Sequence, residues 1–302
     1  MHRALWFYKR QTVIIDCHTH IFPEEMRKKR EAFCEKDEGF SFVYKNPKAR
    51  MVGVENLIEA MDESGVEKSV ICGFPWNRPD LCSFHNEYLM ESASRYPHRL
   101  IVFVSLLFSA PDWSGRELDR GLKGGARGVG EMAFYCQEMT SQDITSMRPI
   151  LTQMGKQRIP LLIHTNETIG HPYPGKGMTP LERFYELILI FPDLPILLAH
   201  WGGGLPFYEL MPEVAKTMAN VYYDTAASPF LYSKKIYAVV REMVGVEKIL
   251  FGTDFPLISP QRYFHELENS GLSEEDRKKI LGINFSRFLE KRGQATFYSD
   301  SV

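Results

Sequence analysis

The chain has 302 residues, of which 44% are hydrophobic and 25% are charged, and its formal net charge is -2. This is the composition of an ordinary globular protein with a large core. Positive and negative residues are interspersed without a long basic stripe, which argues against a nucleic-acid or membrane partner. We therefore expect a small-molecule partner and a single domain over residues 1–302.

The N-terminal segment and the cysteines bear on the compartment. The N-terminal segment contains Trp6, Phe7 and Tyr8 but lacks the pattern of a signal peptide, which is a continuous apolar run followed by a small-residue cleavage site. We therefore expect a cytoplasmic protein. No apolar stretch approaches the roughly 20 residues that span a bilayer. The 5 cysteines are odd in number and form no C-x-x-C pair, which indicates free thiols.

Eight short runs rich in Val, Ile and Leu are predicted to be strands, and most lack alternation of polar and apolar residues. This pattern is typical of parallel strands covered by helices. The runs are residues 13–18, 68–74, 100–107, 126–132, 160–164, 195–200, 220–225 and 248–254.

Helical patterns fill most of the remaining chain. They cover residues 54–64, 82–95, 115–122, 143–158, 180–190, 205–219, 233–244 and 274–291, with Pro180, Pro206 and Ser273 near predicted starts. Eight strand–helix units over about 280 residues predict an α/β protein with the (β/α)8 TIM-barrel fold. A doubly wound open sheet is the alternative. Residues 22–51 are charged and aperiodic, so we expect an extended loop over the barrel mouth.

The first predicted strand contains Asp16-Cys17-His18-Thr19-His20. Because side chains alternate along a strand, Asp16, His18 and His20 would share one face, and the two imidazoles could approach one cation. Neutral imidazole is a common zinc ligand. The pair by itself is equally consistent with a polar strand end.

Three further polar side chains end buried runs: His164, His200 and Asp254. The C-terminal ends of barrel strands converge on one pocket, whereas the first and last strands of an open sheet lie far apart. Taken singly, a histidine here is usually structural, and an aspartate before Phe-Pro is usually a turn residue. Together with the His-x-His pair they predict a metal site.

In combination these motifs resemble the amidohydrolase-related family that includes aminocarboxymuconate semialdehyde decarboxylase. The resemblance covers essentially the whole chain, and its motifs are specific only together. They are Asp16-x-His18-x-His20-x-x-Pro23, His164, His200-Trp201-Gly202-Gly203, Gly252-Thr253-Asp254-Phe255-Pro256 and Gly282-Ile283-Asn284-Phe285-Ser286-Arg287.

The resemblance implies one divalent cation, zinc in the first place and manganese or another ion as the alternative. Its ligands would be His18, His20, His164 and Asp254, with a water completing the shell. His200 would act in proton transfer or polarise a carbonyl, and Asp254 could serve as a general base.

Glu131 ends the fourth predicted strand, where two-metal members of the superfamily place a bridging carboxylate that is a glutamate in some branches. A second metal at Glu131 is one interpretation. The other makes Glu131 an acceptor for a ligand imidazole or a substrate-contacting acid, and we expect one ion rather than two. Asp224 could orient His200 or bond to backbone.

Loop residues at the same rim are candidate substrate contacts. Trp76 and Arg78 follow the second strand, and Arg78 could pair with a substrate carboxylate, although loop arginines are more often solvated. Asn166 and His171 belong to a Gly/Pro-rich segment that is either a lid or a plain loop. Trp201 could shape an apolar pocket or belong to the core.

The leading functional prediction is hydrolysis of a small amide, ester or lactone by metal-activated water. The alternative is non-oxidative decarboxylation of an aromatic or unsaturated carboxylic acid at the same site. A third alternative is a TatD-like nuclease, which would need a second metal and a basic groove. A fourth is a non-catalytic binding protein, which would not need to retain every metal ligand. A homodimer is compatible with the sequence, since dimers are the commonest homo-oligomers.

Overall fold

The computed structural model describes residues 13–290. Eight parallel strands form one sheet in the order β1 to β8, so each strand pairs with the next along the chain. The strands are β1 Ile15–His20, β2 Lys68–Cys72, β3 Leu100–Val104, β4 Gly128–Met132, β5 Leu161–Ile163, β6 Ile196–Leu198, β7 Val221–Asp224 and β8 Ile249–Leu250.

Backbone hydrogen bonds bring the chain after β8 back to β1. The amide of Cys17 donates to the carbonyl of Phe251 at 2.8 Å, and the amide of His20 donates to the carbonyl of Phe255 at 2.7 Å. The sheet is therefore a nearly closed barrel. The TIM-barrel prediction is confirmed, and the open-sheet alternative is excluded.

Helices follow most strands. They are α1 Glu24–Lys28, α2 Arg30–Lys36, α3 Glu38–Tyr44, α4 Val54–Ser64, α5 Pro79–Arg95, α6 Pro111–Lys123, α7 Ser141–Ser146, α8 Arg148–Gln157, α9 Leu181–Ile190, α10 Pro212–Thr217, α11 Ser228–Leu231, α12 Lys235–Val244, α13 Pro260–Glu268, α14 Glu274–Lys278 and α15 Asn284–Glu290. None of the helices within residues 13–290 has both the length and the apolar character that a membrane crossing requires.

The barrel interior is packed core. Side chains of the last helix, Phe285 and Phe288, are buried together with Ile15 of β1, Leu162 of β5 and Leu197 of β6. A barrel filled in this way is a scaffold rather than a pore, and the C-terminal ends of its strands remain available for a site.

Residues 22–51 form a helical insert, not the irregular loop expected from the sequence. Helices α1 to α3 bury Met26, Phe33 and Phe40. The Phe40 ring stacks on Trp76 with centroids 4.6 Å apart, and Asp37 caps α3 by accepting from the Phe40 amide at 2.9 Å. These helices have only 5 to 7 residues each, which is too short for an apolar period to be recognised.

Other predicted helix bounds also change. Residues 143–158 form two helices because Pro149, in the first turn of α8, lacks the amide that a continuous helix needs. Residues 205–219 do not form one α-helix, because Met211, which precedes Pro212, is extended and separates a 3₁₀ stretch that ends at Leu210 from helix α10. Helix α13 was not predicted, although Pro260 is at its start. The predicted N-terminal segment, residues 1–11, and Lys291 lie outside the described residues.

The turn after β6 has an unusual backbone that positions His200. Five consecutive residues, His200 to Gly204, have positive φ, from 55° at His200 to 103° at Gly204. At Gly203, with φ 61°, an added Cβ would lie 2.4 Å from the carbonyl oxygen of Asn166. This position therefore requires glycine for both conformation and space.

Replacing this glycine should destabilise the barrel. Gly203→Ala is expected to lower the free energy of unfolding by at least about 2 kcal/mol, because a left-handed alanine is strained and its Cβ meets backbone that cannot move aside cheaply. Urea unfolding measures the change. Gly115→Ala is the control, since nothing lies within 4 Å of its added Cβ in α6; it should be neutral or stabilising. Equal losses for both variants would contradict this account.

Candidate metal centre

Three of the predicted metal ligands meet where β1 and β8 end. The Nε2 atoms of His18 and His20 are 3.1 Å apart. Asp254 Oδ1 lies 3.4 Å from His20 Nε2 and 3.9 Å from His18 Nε2. These three residues form the first triad, a group that could hold one metal ion.

The fourth predicted ligand, His164, lies in a second triad with Glu131 and His200. His164 Nδ1 is 3.0 Å from Glu131 Oε1 and 3.1 Å from His200 Nε2. Glu131 also lies 3.6 Å from the Nε2 atoms of His18 and His20. The two triads are therefore contiguous, and we call the six residues the donor cluster.

Asp16 does not join these donors, although strict alternation predicted a shared face. The pairing register of β1 shifts between Asp16 and Thr19. The Asp16 carboxylate instead accepts from the Thr253 hydroxyl at 2.5 Å and from the Thr253 amide at 3.0 Å. Burial raises the pKa of Asp16 to about 7 despite these hydrogen bonds. Asp16 thus connects β1 to the segment that carries Asp254.

Asp224 at the end of β7 orients both triads. One carboxylate oxygen accepts from His18 Nδ1 at 2.8 Å, and the other accepts from the backbone amides of His200 at 2.8 Å and Ala226 at 3.0 Å. Because a carboxylate only accepts, the Nδ1 of His18 carries a hydrogen, so Nε2 is the nitrogen left to bind a cation. The sequence raised both a side-chain and a backbone role for Asp224, but not its bond to His18.

The carboxylates of the cluster favour protonated imidazoles. Burial lowers the pKa of His18, but the charges of Glu131 and Asp224 outweigh it and raise that pKa well above its usual value. Burial likewise opposes charge on His200, yet its hydrogen bond to Glu131 and nearby carboxylates raise its pKa to about 9. Burial and the charge of His18 lower the pKa of His20. A cation must therefore displace protons, and its affinity should fall at low pH.

Five of the six donors line a cavity of about 620 Å³, a size typical of small-molecule sites. Its other walls come from the helical insert and from loops after several strands. They include Val43, Tyr44, Lys48, Arg50, Phe74, Tyr135, His171, Tyr173, Phe230, Leu231 and Leu257. The insert therefore borders the barrel mouth, where the sequence led us to expect residues 22–51.

Aromatic rings lie beside the donors. Phe74 and Tyr135 are stacked with centroids 5.6 Å apart and an interplanar angle of 24°. The edge of Tyr135 approaches His164, with centroids 5.3 Å apart. Such walls suit a flat, partly apolar ligand that reaches the donors with one polar end.

Of the predicted substrate contacts, His171 lines this cavity, whereas the other four are engaged elsewhere. Arg78 pairs with a neighbouring aspartate at 3.0 Å, and its side chain is 50% exposed. The buried indole of Trp76 donates to a histidine at 3.2 Å, and that of Trp201 donates to a serine at 3.0 Å. The Asn166 amide donates to an adjacent carbonyl. The wall residues Tyr44 and Arg50 were not predicted, since the composition of a segment does not reveal which side chains turn inward.

A family model described as Amidohydrolase matches residues 15–290. The chain belongs to the amidohydrolase family. Its curated relatives include the gamma-resorcylate decarboxylase of Polaromonas sp. strain JS666, 23% identical over 293 residues that cover 77% of this chain and 86% of the relative. The gamma-resorcylate decarboxylase of Rhizobium sp. strain MTP-10005 is 23% identical over 307 residues, covering 83% of this chain and 91% of the relative.

Several solved structures are similar to this amidohydrolase over most of its length. A 5-carboxyvanillate decarboxylase from Novosphingobium aromaticivorans, complexed with manganese and a nitrobenzoic acid, has a TM-score of 0.77 at 17% identity, covering 94% of this chain and 97% of the other. A 2,6-dihydroxybenzoate decarboxylase complexed with 2,6-dihydroxybenzoate has a TM-score of 0.71 at 19% identity, covering 93% and 100%.

These comparisons correct the leading functional prediction. The curated relatives that match this amidohydrolase are named decarboxylases, so the prediction of amide, ester or lactone hydrolysis was wrong. Hydrolysis and decarboxylation were both predicted to use one metal held by the same side chains. The spacing of the sequence motifs alone could not distinguish the two reactions. The findings favour the decarboxylation alternative.

Removing the negative charge of Asp224 should weaken metal binding. Asp224→Asn keeps one acceptor oxygen in place of two, so it cannot accept from both the His18 ring and the His200 amide, and we expect the affinity for Mn²⁺ or Zn²⁺ to fall about 10- to 100-fold. Calorimetric titration of the metal-free protein measures it. Asp193→Asn, at an exposed position, is the matched control and should leave affinity unchanged. Wild-type affinity in Asp224→Asn would refute the orienting role.

Proposed function

We propose that this amidohydrolase is a divalent-metal-dependent decarboxylase of an aromatic carboxylic acid. The observation that carries the proposal is the placement of imidazole and carboxylate donors in a cavity with aromatic walls, in a chain whose matched relatives are named decarboxylases. The runner-up substrate class is an unsaturated, non-aromatic carboxylic acid. The ring pair of Phe74 and Tyr135 favours the aromatic class.

The donor chemistry fits a divalent cation. His18, His20 and Asp254 present two imidazole nitrogens and a carboxylate oxygen within 3.1 to 3.9 Å of one another, a set that suits both manganese and zinc. Solved neighbours with bound manganese favour manganese, while zinc stays the sequence-based prediction. When bound, the ion would fix and polarise an oxygen of the substrate.

The reaction needs a proton at the carbon that loses carbon dioxide. The bond between ring carbon and carboxylate breaks, its electron pair stays on the ring carbon, and a proton replaces the departing group. We assign proton delivery to Asp254, whose carboxylate would take a proton from solvent and pass it to the ring carbon, which regenerates the carboxylate. Its side chain is 20% exposed, against 3% for Glu131, so Asp254 is the more open of these two acids.

Arg50 and Lys48 supply positive charge at the cavity wall. Within residues 13–290 neither side chain has an ion-pair partner, and both are exposed. A guanidinium pairs with a carboxylate through two parallel hydrogen bonds. We therefore propose that Arg50, in place of the predicted Arg78, guides or binds an anionic group of the substrate.

A product assay tests the reaction class. Manganese-loaded protein should release carbon dioxide from at least one member of a panel of hydroxybenzoic and methoxybenzoic acids, with the decarboxylated arene appearing in equal amount. Asp254→Asn should reduce the rate by at least about 100-fold while circular dichroism stays native. Conversion of unsaturated non-aromatic acids only would favour the runner-up, and no carbon dioxide from either group would refute the proposal.

The Arg50 assignment predicts a binding defect. Arg50→Ala should raise KM about tenfold with a smaller change in kcat, because an exposed cation at the cavity wall attracts the anionic substrate before the bond-breaking step. Lys45→Ala, at an exposed position of the same insert that does not line the cavity, is the control and should leave KM unchanged. Equal KM in wild type and Arg50→Ala would remove Arg50 from the site.

A further inference from the structure

Part of the cavity wall comes from a stretch of chain without regular secondary structure. Residues 45–53, which follow α3, belong to neither a helix nor a strand. We call residues 44–50 the wall segment, because five of its residues line the cavity: Tyr44, Asn46, Lys48, Ala49 and Arg50. Carbonyl oxygens outside a helix or sheet need other hydrogen-bond donors. The shape of the wall segment therefore depends on which donors it meets.

Arg30, the first residue of α2, supplies donors to the wall segment. Its Nη1 donates to the carbonyl of Asn46 at 2.8 Å, and its Nη2 donates to the carbonyl of Ala49 at 2.9 Å. Nη1 also approaches the carbonyl of Tyr44 at 3.5 Å. A guanidinium holds its N–H groups in a rigid planar fork. One side chain thus fixes the relative positions of three carbonyls along the wall segment.

The wall segment folds back on itself beside this guanidinium. The amide of Ala49 donates to the carbonyl of Asn46 at 2.9 Å, and the amide of Lys48 donates to Asn46 Oδ1 at 3.0 Å. The Asn46 carbonyl therefore accepts from both this turn and Arg30. While these backbone groups are engaged, the side chains of Lys48 and Arg50 stay exposed at the cavity wall.

Charge favours an anion at this wall. Among residues 13–290, no ion pair includes Arg30, Lys48 or Arg50. Arg30 is partly buried, and its hydrogen bond to Ala49 places its charge beside the backbone that joins the other two cations. Like charges this close repel one another, and an anionic ligand offsets that repulsion.

The base of the helical insert is fixed by contacts that do not involve Arg30. The amide of Phe22 donates to the carbonyl of Val52 at 2.8 Å. The buried carboxylate of Asp37 accepts from the amide of Asn77 at 2.8 Å, which attaches the insert to the chain after β2. Loss of the Arg30 side chain should therefore release the wall segment without undocking the three helices.

We propose that Arg30 is a positioning residue, which holds the wall segment in the shape that binds the anionic group of the substrate. Arg30 does not line the cavity, so it acts through Lys48 and Arg50. The inference deepens the proposed function and rests on it for the choice of an anionic aromatic ligand. If the wall segment keeps its shape for only part of the time, the apparent affinity falls by that fraction.

Hydrogen–deuterium exchange and kinetics test this role together. In Arg30→Ala we expect faster exchange at the amides of residues 45–50. We also expect KM for an aromatic acid that the wild type converts to rise about tenfold, with a smaller change in kcat. Arg30→Lys keeps the charge but not the fork, and it should show most of both effects.

Arg99→Ala is the matched control. Arg99 also donates to two carbonyls, those of Glu67 at 2.9 Å and Val66 at 3.2 Å. It lies just before β3, at the end of the barrel opposite the cavity. Its loss removes bonds of the same kind, so it should lower stability while leaving KM and exchange in the wall segment unchanged.

Guanidinium ion separates positioning from general loss of stability. Millimolar guanidinium chloride is far below the molar concentrations that unfold proteins. In Arg30→Ala it should occupy the space of the missing side chain, slow the exchange of residues 45–50 and lower KM towards the wild-type value. Arg99→Ala should gain nothing from it, because its KM has no defect to repair.

Unchanged exchange in Arg30→Ala, or faster exchange with a wild-type KM, would overturn the positioning role. Wild-type exchange and KM in Arg30→Lys would overturn the fork in favour of charge alone. Circular dichroism checks folding, and Arg30→Lys decides if Arg30→Ala does not fold. If the protein releases no carbon dioxide, the Kd of salicylate by calorimetry replaces KM. Failure of the decarboxylase assignment then leaves this test intact, whereas normal carbon dioxide release with unchanged exchange removes only Arg30.

Discussion

The carboxylate of Asp224 is the constraint on which the geometry of the donor cluster depends. Through one oxygen it sets which nitrogen of His18 faces the cluster, and through the other it holds the backbone at His200. A single side chain of β7 thereby connects residues from β1 and β6. His200 and Asp254 have φ of 55° and 57°, a conformation that residues with a Cβ rarely adopt. Buried hydrogen bonds of this kind hold such strained residues in place.

The carboxylates beside these imidazoles stabilise positive charge there, so protons and a metal ion compete for the same ring nitrogens. Because the pKa of His200 is raised to about 9, its protonation stabilises the metal-free fold below the ordinary histidine pKa of about 6.5, and that stabilisation is lost as pH rises through 9. Metal ligation requires the deprotonated nitrogen. Stabilisation by protons therefore declines over the pH range in which stabilisation by metal grows.

The helical insert explains how a common barrel acquires a particular cavity. Phe40 and Trp76 stack to dock the insert on the barrel, and the residues that follow α3 reach the cavity wall. The donors come from the strand ends, whereas much of the ring-lined wall comes from insertions between them. Barrels of this architecture can thus retain one set of donors while the loops select different substrates.

Much of the fold could be predicted from the sequence because its signals are local. Each buried run and each helix start is encoded within a few residues, and all eight strands lie where periodicity placed them, within a few residues. The same local reasoning places five candidate ligands near the C-terminal ends of strands: His18, His20, His164, His200 and Asp254. The three short helices of the insert carry too few turns to show a period.

What the sequence by itself determined was therefore the barrel and the residue types that its strand ends bring together. Tertiary structure alone decided how those residues are grouped. The pairing of His18 with Asp224 joins positions 206 residues apart, and the contact of His164 with Glu131 joins positions 33 apart. Whether Arg50 or Arg78 turns toward the cavity likewise depends on packing. Distances between such residues arise only when the barrel closes, so no local pattern records them.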